Sequence, residues 1–193
     1  MEKKVTIYCK NTASYHDFPI GTSLMEISNH LNIKLKYDIV AARVNYKVED
    51  LNFLVYKPKD IEFIDASCPS GMRVYVRTLS MVFAYAVKRL FPEAILSINH
   101  SISKGYYCRL DYLNKPLNQE VISLIKTEIN KIIAEAYPIV VEEKQVKEVK
   151  NIFALQNNQH ENLSLFETIN TPYMRYFRIH DYVDYYNGVL LPS

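Results

Sequence analysis

The alternation of apolar and polar residues over the first 65 positions predicts a mixed sheet packed on one helix. Val5, Ile7 and Cys9 recur at every second position, which is the period of a half-buried strand. Ser23 can cap a helix, because Glu26 follows it at the spacing of a capping box. The predicted elements are strands at 4–10, 15–20, 39–44 and 61–64, and one helix that begins after Ser23.

The second part of the chain alternates between helical and strand periods, which predicts helices packed on an antiparallel sheet. Pro and Gly interrupt both periods in residues 66–71, so we place a connector and the domain junction there. The predicted elements are helices at 79–90, 118–136 and 142–157, strands at 95–98, 106–110 and 139–141, and terminal strands in 175–191 around an Asn187-Gly188 hairpin turn. The inward face of the second helix is predicted to carry Val121, Leu124, Ile125, Ile129, Ile132 and Ile133. The predicted fold class is α+β in two domains.

Composition narrows the functions that this chain can have. The 23 Lys and Arg nearly balance 21 Asp and Glu, so any RNA contact has to be local rather than driven by a basic surface. Three cysteines form no CxxC pair, which fits a reducing cytoplasm. No stretch is apolar enough for a signal peptide or a membrane span. The four glycines are not clustered, so no phosphate-binding loop for ATP is predicted.

Several short motifs resemble the N-terminal region of threonyl-tRNA synthetases. Val5-Thr6-Ile7-Tyr8, Gly21-Thr22-Ser23-Leu24 and Ala42-Arg43-Val44-Asn45 are similar to a TGS domain, a small β-grasp module. Residues 86–94, 104–107 and 182–188 are similar to the editing domain that follows it in those synthetases. The resemblance implies a TGS-like β-grasp domain at 1–66 and a degenerate editing-like domain at 72–193, with further chain expected after its abrupt end.

The resemblance also implies that the editing chemistry is lost. That family builds its pocket from a His-x-x-x-His pair and a Cys-x-x-x-His pair, which fall here on Met81 and Tyr85 and on Tyr186 and Leu190. These side chains bind zinc poorly and offer no general base near neutral pH, since the reference pKa of tyrosine is ~10. We therefore predict no catalytic residue, no metal and no cofactor in this chain, and a vestigial pocket filled as core.

The tyrosine-rich ending at 178–190 is similar to the N-terminal half of bacterial proteins related to uridine kinases and phosphoribulokinases. That likeness implies a non-catalytic accessory or regulatory region, with a kinase domain after Ser193 as its partner. ATP and Mg²⁺ are then expected for the parent transferase and not for this region. The alternative is an RNA- or nucleotide-binding module that keeps the synthetase architecture without editing.

Residues 100–109 carry the best candidates for a ligand site. His100, Lys104, Tyr107 and Arg109 combine an imidazole, two cations and an aromatic ring, which could bind a small-molecule regulator or RNA. Surface or structural roles are the simpler interpretation of these residues. A third hypothesis is a divergent hydrolase that uses His100 or His180 in place of the lost ligands.

Overall fold

The computed structural model describes residues 3–103, 105–156, 166 and 169–193. The chain divides into two compact units, one made of Met1–Thr78 with Asn187–Pro192 and the other of Leu79–Tyr186 with Ser193. Both units combine helices with sheets, so the predicted α+β class is confirmed. None of the helices in the described ranges combines the length and apolar character that crossing a bilayer requires.

A five-stranded mixed sheet organises the first unit. The elements of this unit are β1 (Lys4–Cys9), β2 (Ser14–Pro19), β3 (Thr22–Ser23), α1 (Leu24–His30), β4 (Ile39–Val44), β5 (Lys47–Glu49), β6 (Leu54–Val55), β7 (Lys59–Asp65) and the beginning of α2 (Pro69–Leu90). The strand order is β2-β1-β7-β4-β5, with β1 parallel to β7 and the other neighbours antiparallel. The short β3 and β6 form a separate pair. The four predicted strands and the helix are therefore present, and three short strands add to them.

Helix α1 begins where the sequence predicts. The Ser23 hydroxyl accepts a hydrogen bond from the Glu26 amide, and the Glu26 carboxylate accepts one from the Ser23 amide at 2.8 Å, which completes the capping box. Leu24 and Ile27 are fully buried in the core that the helix shares with β1, β4 and β7. Their spacing of three residues puts both side chains on the face that meets the sheet.

Helix α2 begins earlier than predicted, so the connector predicted at 66–71 is wrong for its last three residues. Pro69 is the first helical residue, where the missing N–H of proline has no intrahelical partner to lose. The Sγ of Cys68 accepts from the Gly71 amide at 3.4 Å and thereby caps the first turn. Helix periodicity could not show this turn, because the apolar stripe of α2 is interrupted there.

In the described residues, the second unit has two separate sheets and two helices besides the end of α2. Its other elements are β8 (Ile95–Ile102), β9 (Gly105–Asp111), α3 (Gln119–Glu135), β10 (Ile139–Gln145), α4 (Val146–Leu155), β11 (Tyr173–Ile179) and β12 (Tyr182–Asp184). Strands β10, β11 and β12 form one antiparallel sheet, and β8 pairs with β9 alone. One core cluster centres on Val149, Phe153 and Tyr176, between α4 and the three-stranded sheet. Another joins Val87 and Val121, from α2 and α3.

The inward face predicted for α3 is too wide. Val121, Ile125 and Ile132 are buried as predicted, but the side chains of Leu124 and Ile133 are 41% and 57% exposed. The bounds of the helix are confirmed: Asn118 caps its start, and Ala136 ends it in the left-handed conformation. Periodicity alone admits every apolar residue near the face, whereas packing covers only the side chains that a neighbouring element reaches.

Two further boundaries differ from the prediction in the second unit. Residues 142–145 continue strand β10 instead of starting a helix, because each has a partner on β11. The terminal hairpin turns at His180 and Asp181, between the paired residues Ile179 and Tyr182, and not at Asn187-Gly188. His180 takes the positive φ of 52° that this tight turn requires.

The carboxylate of Glu142 is the centre of a polar network on the three-stranded sheet. It accepts hydrogen bonds from the Arg178 guanidinium at 2.6 and 3.1 Å and from the Tyr176 hydroxyl. These bonds, led by those from Arg178, lower the pKa of Glu142 from its ordinary 4.5 to about 2. Because Tyr176 and Arg178 belong to β11, the network joins the two longer strands of the sheet.

We expect this network to make the stability of the chain fall in acid. Since the folded pKa of Glu142 is below its unfolded value, its contribution is complete above about pH 5 and is lost as the pH falls toward 2. Glu142→Gln should lower the free energy of unfolding by about 1–3 kcal/mol at pH 7. It should also reduce the further loss of stability between pH 7 and pH 3, as measured by urea unfolding. Glu143→Gln is the matched control, because the Glu143 side chain is 56% exposed and its Oε2 is as far as 3.9 Å from the Nε of Arg175, which makes a weak ion pair. The same loss of stability in acid for Glu142→Gln as for the wild type would contradict this role of Glu142.

Candidate functional site

The two-stranded sheet β8–β9 presents most of the residues that the sequence singles out for binding. Leu96 and Leu110, near its open end, pack on the core cluster formed by α2 and α3. The described residues of the other end, 99–107, are exposed, and the strand register is irregular between Ile98 and Ser101. The hairpin is therefore fixed at one end and presents side chains to solvent at the other.

His100 and Tyr107 lie together on the exposed end of this hairpin. Their ring centroids are 5.6 Å apart and their planes differ by 25°, which is a stacked arrangement. The Tyr107 side chain is 47% exposed, and the neighbouring Tyr106 is 53% exposed. A stacked and exposed ring pair can receive a further flat ring, such as a nucleobase.

Of the two predicted cations of the site, the structure describes Arg109. The Nε of Arg109 donates to the Oδ2 of Asp111 at 2.7 Å, so its charge is balanced along the same strand. Lys104 lies outside the described residues. Of the predicted binding set, the structure brings His100 and Tyr107 into contact.

The four positions that the resemblance assigns to a vestigial editing pocket carry buried or half-buried side chains. In the second unit, Met81 and Tyr85 are 0% and 3% exposed, and Tyr186 is half-buried with its ring edge-on to Phe177 at 6.3 Å. In the first unit, Leu190 is 2% exposed. Burial raises the pKa of the Tyr186 hydroxyl, with the charge of Asp184 adding to the rise. These groups offer no proton acceptor near neutral pH.

Tyr85 lies in a cluster of rings that the sequence did not predict. Its ring centroid is 6.0 Å from Tyr182, 6.5 Å from Tyr137 and 6.4 Å from His180. The guanidinium of Arg89 lies 5.5 Å from the Tyr85 centroid. Burial, with the charge of Asp181 as the next cause, raises the pKa of Tyr85. The spacing of Tyr85 and Arg89 along α2 was the one local signal of this cluster.

His180 forms an exposed pair with its neighbour Asp181. The Nδ1 of His180 is 3.0 Å from the Oδ1 of Asp181, and this bond lowers the pKa of the Asp181 carboxyl. The imidazole is 57% exposed, and besides the Tyr85 ring it contacts the ring of Tyr137, with 5.4 Å between the centroids. Across the described ranges, no group of three or more His, Cys, Asp and Glu side chains could hold a metal ion.

Comparison with known proteins shows a similarity: over most of its length this chain is similar to threonyl-tRNA synthetases. It is 31% identical to the threonine–tRNA ligase of Syntrophomonas wolfei over 181 residues, which are 93% of this chain and 28% of that enzyme. The ligase of Thermotoga neapolitana is 31% identical over 182 residues, which are again 93% of this chain and 28% of that enzyme. The ligase of Desulforamulus reducens is 33% identical over 125 residues, 65% of this chain and 20% of the enzyme. No family model matches the chain.

These relatives correct the main functional prediction. The chain spans less than a third of the length of each of these ligases. Because they are threonine–tRNA ligases, the assignment to a uridine kinase or another nucleoside kinase is wrong. The expected kinase domain after Ser193, and with it ATP and Mg²⁺, lose the basis on which they were predicted.

Proposed function

We propose that this chain is an RNA-binding module that keeps the architecture of a tRNA synthetase's N-terminal region and binds tRNA without editing it. The observation that carries the proposal is the exposed His100–Tyr107 ring pair at the free end of the β8–β9 hairpin. The relatives support tRNA as the partner, because their names state it as their substrate.

In this proposal residues 1–66 form a TGS-like β-grasp domain and residues 72–193 a degenerate editing-like domain. The mixed sheet of the first unit, packed on α1 through Leu24 and Ile27, supports the β-grasp assignment. The absence of editing is supported by the side chains at Met81, Tyr85, Tyr186 and Leu190, which include no imidazole and no thiol. Ester hydrolysis at those positions would need a group that can accept a proton near neutral pH.

The hairpin supports recognition by stacking more than by charge. Arg109 is already paired with Asp111, and the formal net charge of the chain is only +2. Stacking of a base on an aromatic ring contributes about 1–3 kcal/mol and needs an unpaired base. We therefore propose that the hairpin contacts a single-stranded part of tRNA, and that its affinity falls only gradually with salt.

Removal of the Tyr107 ring tests this proposal. We expect Tyr107→Ala to weaken binding of a threonine-tRNA transcript by about 1–3 kcal/mol, roughly 5- to 150-fold, measured by fluorescence anisotropy at fixed salt. His100→Ala should act in the same direction, because it removes the partner ring. Tyr173→Ala is the control, since Tyr173 is 54% exposed on β11 and lies in the same unit. Equal affinities for the wild type, Tyr107→Ala and Tyr173→Ala would reject the hairpin as the binding site.

A further inference from the structure

The sheet of the first unit carries a second group of exposed rings on the face opposite its helix α1. Val5, Ile7 and Cys9 of β1 point into the core, so the alternate residues Tyr8 and Lys10 lie on the other face. Tyr8 pairs across the strands with Tyr15 of β2, and their ring centroids are 5.0 Å apart. The Tyr15 side chain is 74% exposed.

Tyr46 joins this group from the turn between β4 and β5. The Nζ of Lys10 lies 4.7 Å from the centroid of the Tyr46 ring, which is 80% exposed. The Lys10 backbone is fixed by a hydrogen bond of 2.8 Å from its amide to the Ile61 carbonyl. We call the surface made by Tyr8, Lys10, Tyr15 and Tyr46 the tyrosine platform.

The backbone of Tyr46 indicates that its ring has a role other than stabilising the fold. Val44 pairs with Lys47, so Asn45 and Tyr46 form a two-residue turn, with φ of 46° and 72°. Such turns favour Asn followed by Gly, because a side chain at the second position is strained at positive φ. A tyrosine here costs stability, and its ring, 80% exposed, recovers little of that cost by burial.

The charges beside the platform balance, so its rings rather than its charge determine which ligand fits. Arg43 donates to Glu62 at 2.8 Å, and Lys10 lies 3.9 Å from the same carboxylate, so Glu62 and the nearby Asp60 balance these two cations. The exposed Asp60 of β7, which is opposite Tyr8, provides a hydrogen-bond acceptor for base amino groups or ribose hydroxyls. Several RNA-binding modules bind single-stranded RNA by stacking its bases on aromatic side chains of a sheet.

We infer that the tyrosine platform is a second RNA contact, on which bases of a single-stranded segment stack against Tyr15 and Tyr46. The inference rests on the proposed function for the class of ligand, but it uses a different surface on a different unit. Double-stranded RNA keeps its bases paired, so it should compete poorly for this surface.

The test uses a fluorescein-labelled, single-stranded 12-nucleotide RNA of mixed sequence and the whole chain. Tyr46→Gly and Tyr15→Ala should each weaken binding roughly tenfold. Tyr46→Gly should at the same time raise the melting temperature, because glycine relieves the strained turn. Tyr37→Ala is the matched control: Tyr37 is 54% exposed in the same unit, and the Nζ of Lys36 lies 5.2 Å from its ring centroid, but among the described residues no second tyrosine ring lies against it.

The outcomes separate this inference from the proposed function. If Tyr107→Ala weakens RNA binding and Tyr46→Gly and Tyr15→Ala do not, the platform is rejected and the hairpin site stands. If Tyr46→Gly and Tyr15→Ala weaken binding and Tyr107→Ala does not, the platform stands and the hairpin site is rejected. A lower melting temperature for Tyr46→Gly would show that the ring supports folding, and would overturn the inference. No binding of the 12-nucleotide RNA by the wild-type chain would reject the platform, whereas no binding of the threonine-tRNA transcript would reject the proposed function.

Discussion

Replacing Tyr85 by alanine is expected to lower the free energy of unfolding by about 3–5 kcal/mol. The side chain is 3% exposed and contacts the rings of Tyr137, His180 and Tyr182, so its removal leaves a cavity that rigid rings cannot fill. Urea unfolding followed by circular dichroism measures the loss. Tyr85→Phe is the control: it keeps the ring and removes only the hydroxyl, so it should cost less than about 1.5 kcal/mol.

The same variants decide whether Tyr85, which the resemblance assigns to a vestigial editing pocket, belongs to a core or to a regulatory site. If Tyr85 fills the pocket as core, neither the wild type nor Tyr85→Ala should show saturable thermal stabilisation by adenosine, AMP or threonine. A loss of stability below about 1 kcal/mol in Tyr85→Ala, together with saturable stabilisation seen only in the wild type, would instead support a ligand site. Leu190→Ala, at a position 2% exposed in the first unit, should cost about 2–5 kcal/mol by the same cavity argument.

Gly71→Ala is expected to cost about 3 kcal/mol or more, although alanine normally favours a helix. A Cβ at Gly71 would lie 1.9 Å from the backbone oxygen of Asp65 and 3.2 Å from Cγ2 of Val40. The Asp65 segment cannot easily move away, because its carboxylate accepts hydrogen bonds from the amides of Tyr37 and Ser67, both at 2.9 Å. Overpacking against fixed backbone therefore exceeds the gain of ~1 kcal/mol in helix propensity.

Gly105→Ala is the matched control for this prediction. Among the described residues, the nearest atom to its added Cβ is the Ile102 carbonyl oxygen, at 3.9 Å. The change should therefore be within about 0.5 kcal/mol of neutral in the same urea titration. Equal stabilities for Gly71→Ala and Gly105→Ala would show that the start of α2 can shift to accommodate a methyl group.

Local signals predicted much of the fold. The capping box of Ser23 and Glu26, the alternation of Val5, Ile7 and Cys9, and the bounds of α3 depend on neighbours a few residues apart. The wrong boundaries depend on distant partners. Residues 142–145 are a strand because β11 lies beside them, and the apolar Leu124 and Ile133 are exposed because no described element covers them.

The binding candidates divide in the same way. The sequence identified His100 and Tyr107 by residue type, but their stacking depends on the pairing of β8 with β9 and on the irregular register after Ile98. The tyrosine platform was missed, because its members come from β1, β2 and the β4–β5 turn. One signal could have indicated it: Asn45 is followed by Tyr46 in a turn that ordinarily has glycine there.

The sequence by itself determined the α+β class, the order of most elements, the likeness to threonyl-tRNA synthetases and the lack of imidazole and thiol groups at 81, 85, 186 and 190. These properties follow from residue identity and short-range spacing, which the chain carries whether folded or not. The tertiary structure decided which rings meet, which apolar residues are covered and where strands begin and end. Those outcomes depend on contacts between segments far apart in the chain, because burial and strand pairing exist only once the segments have come together.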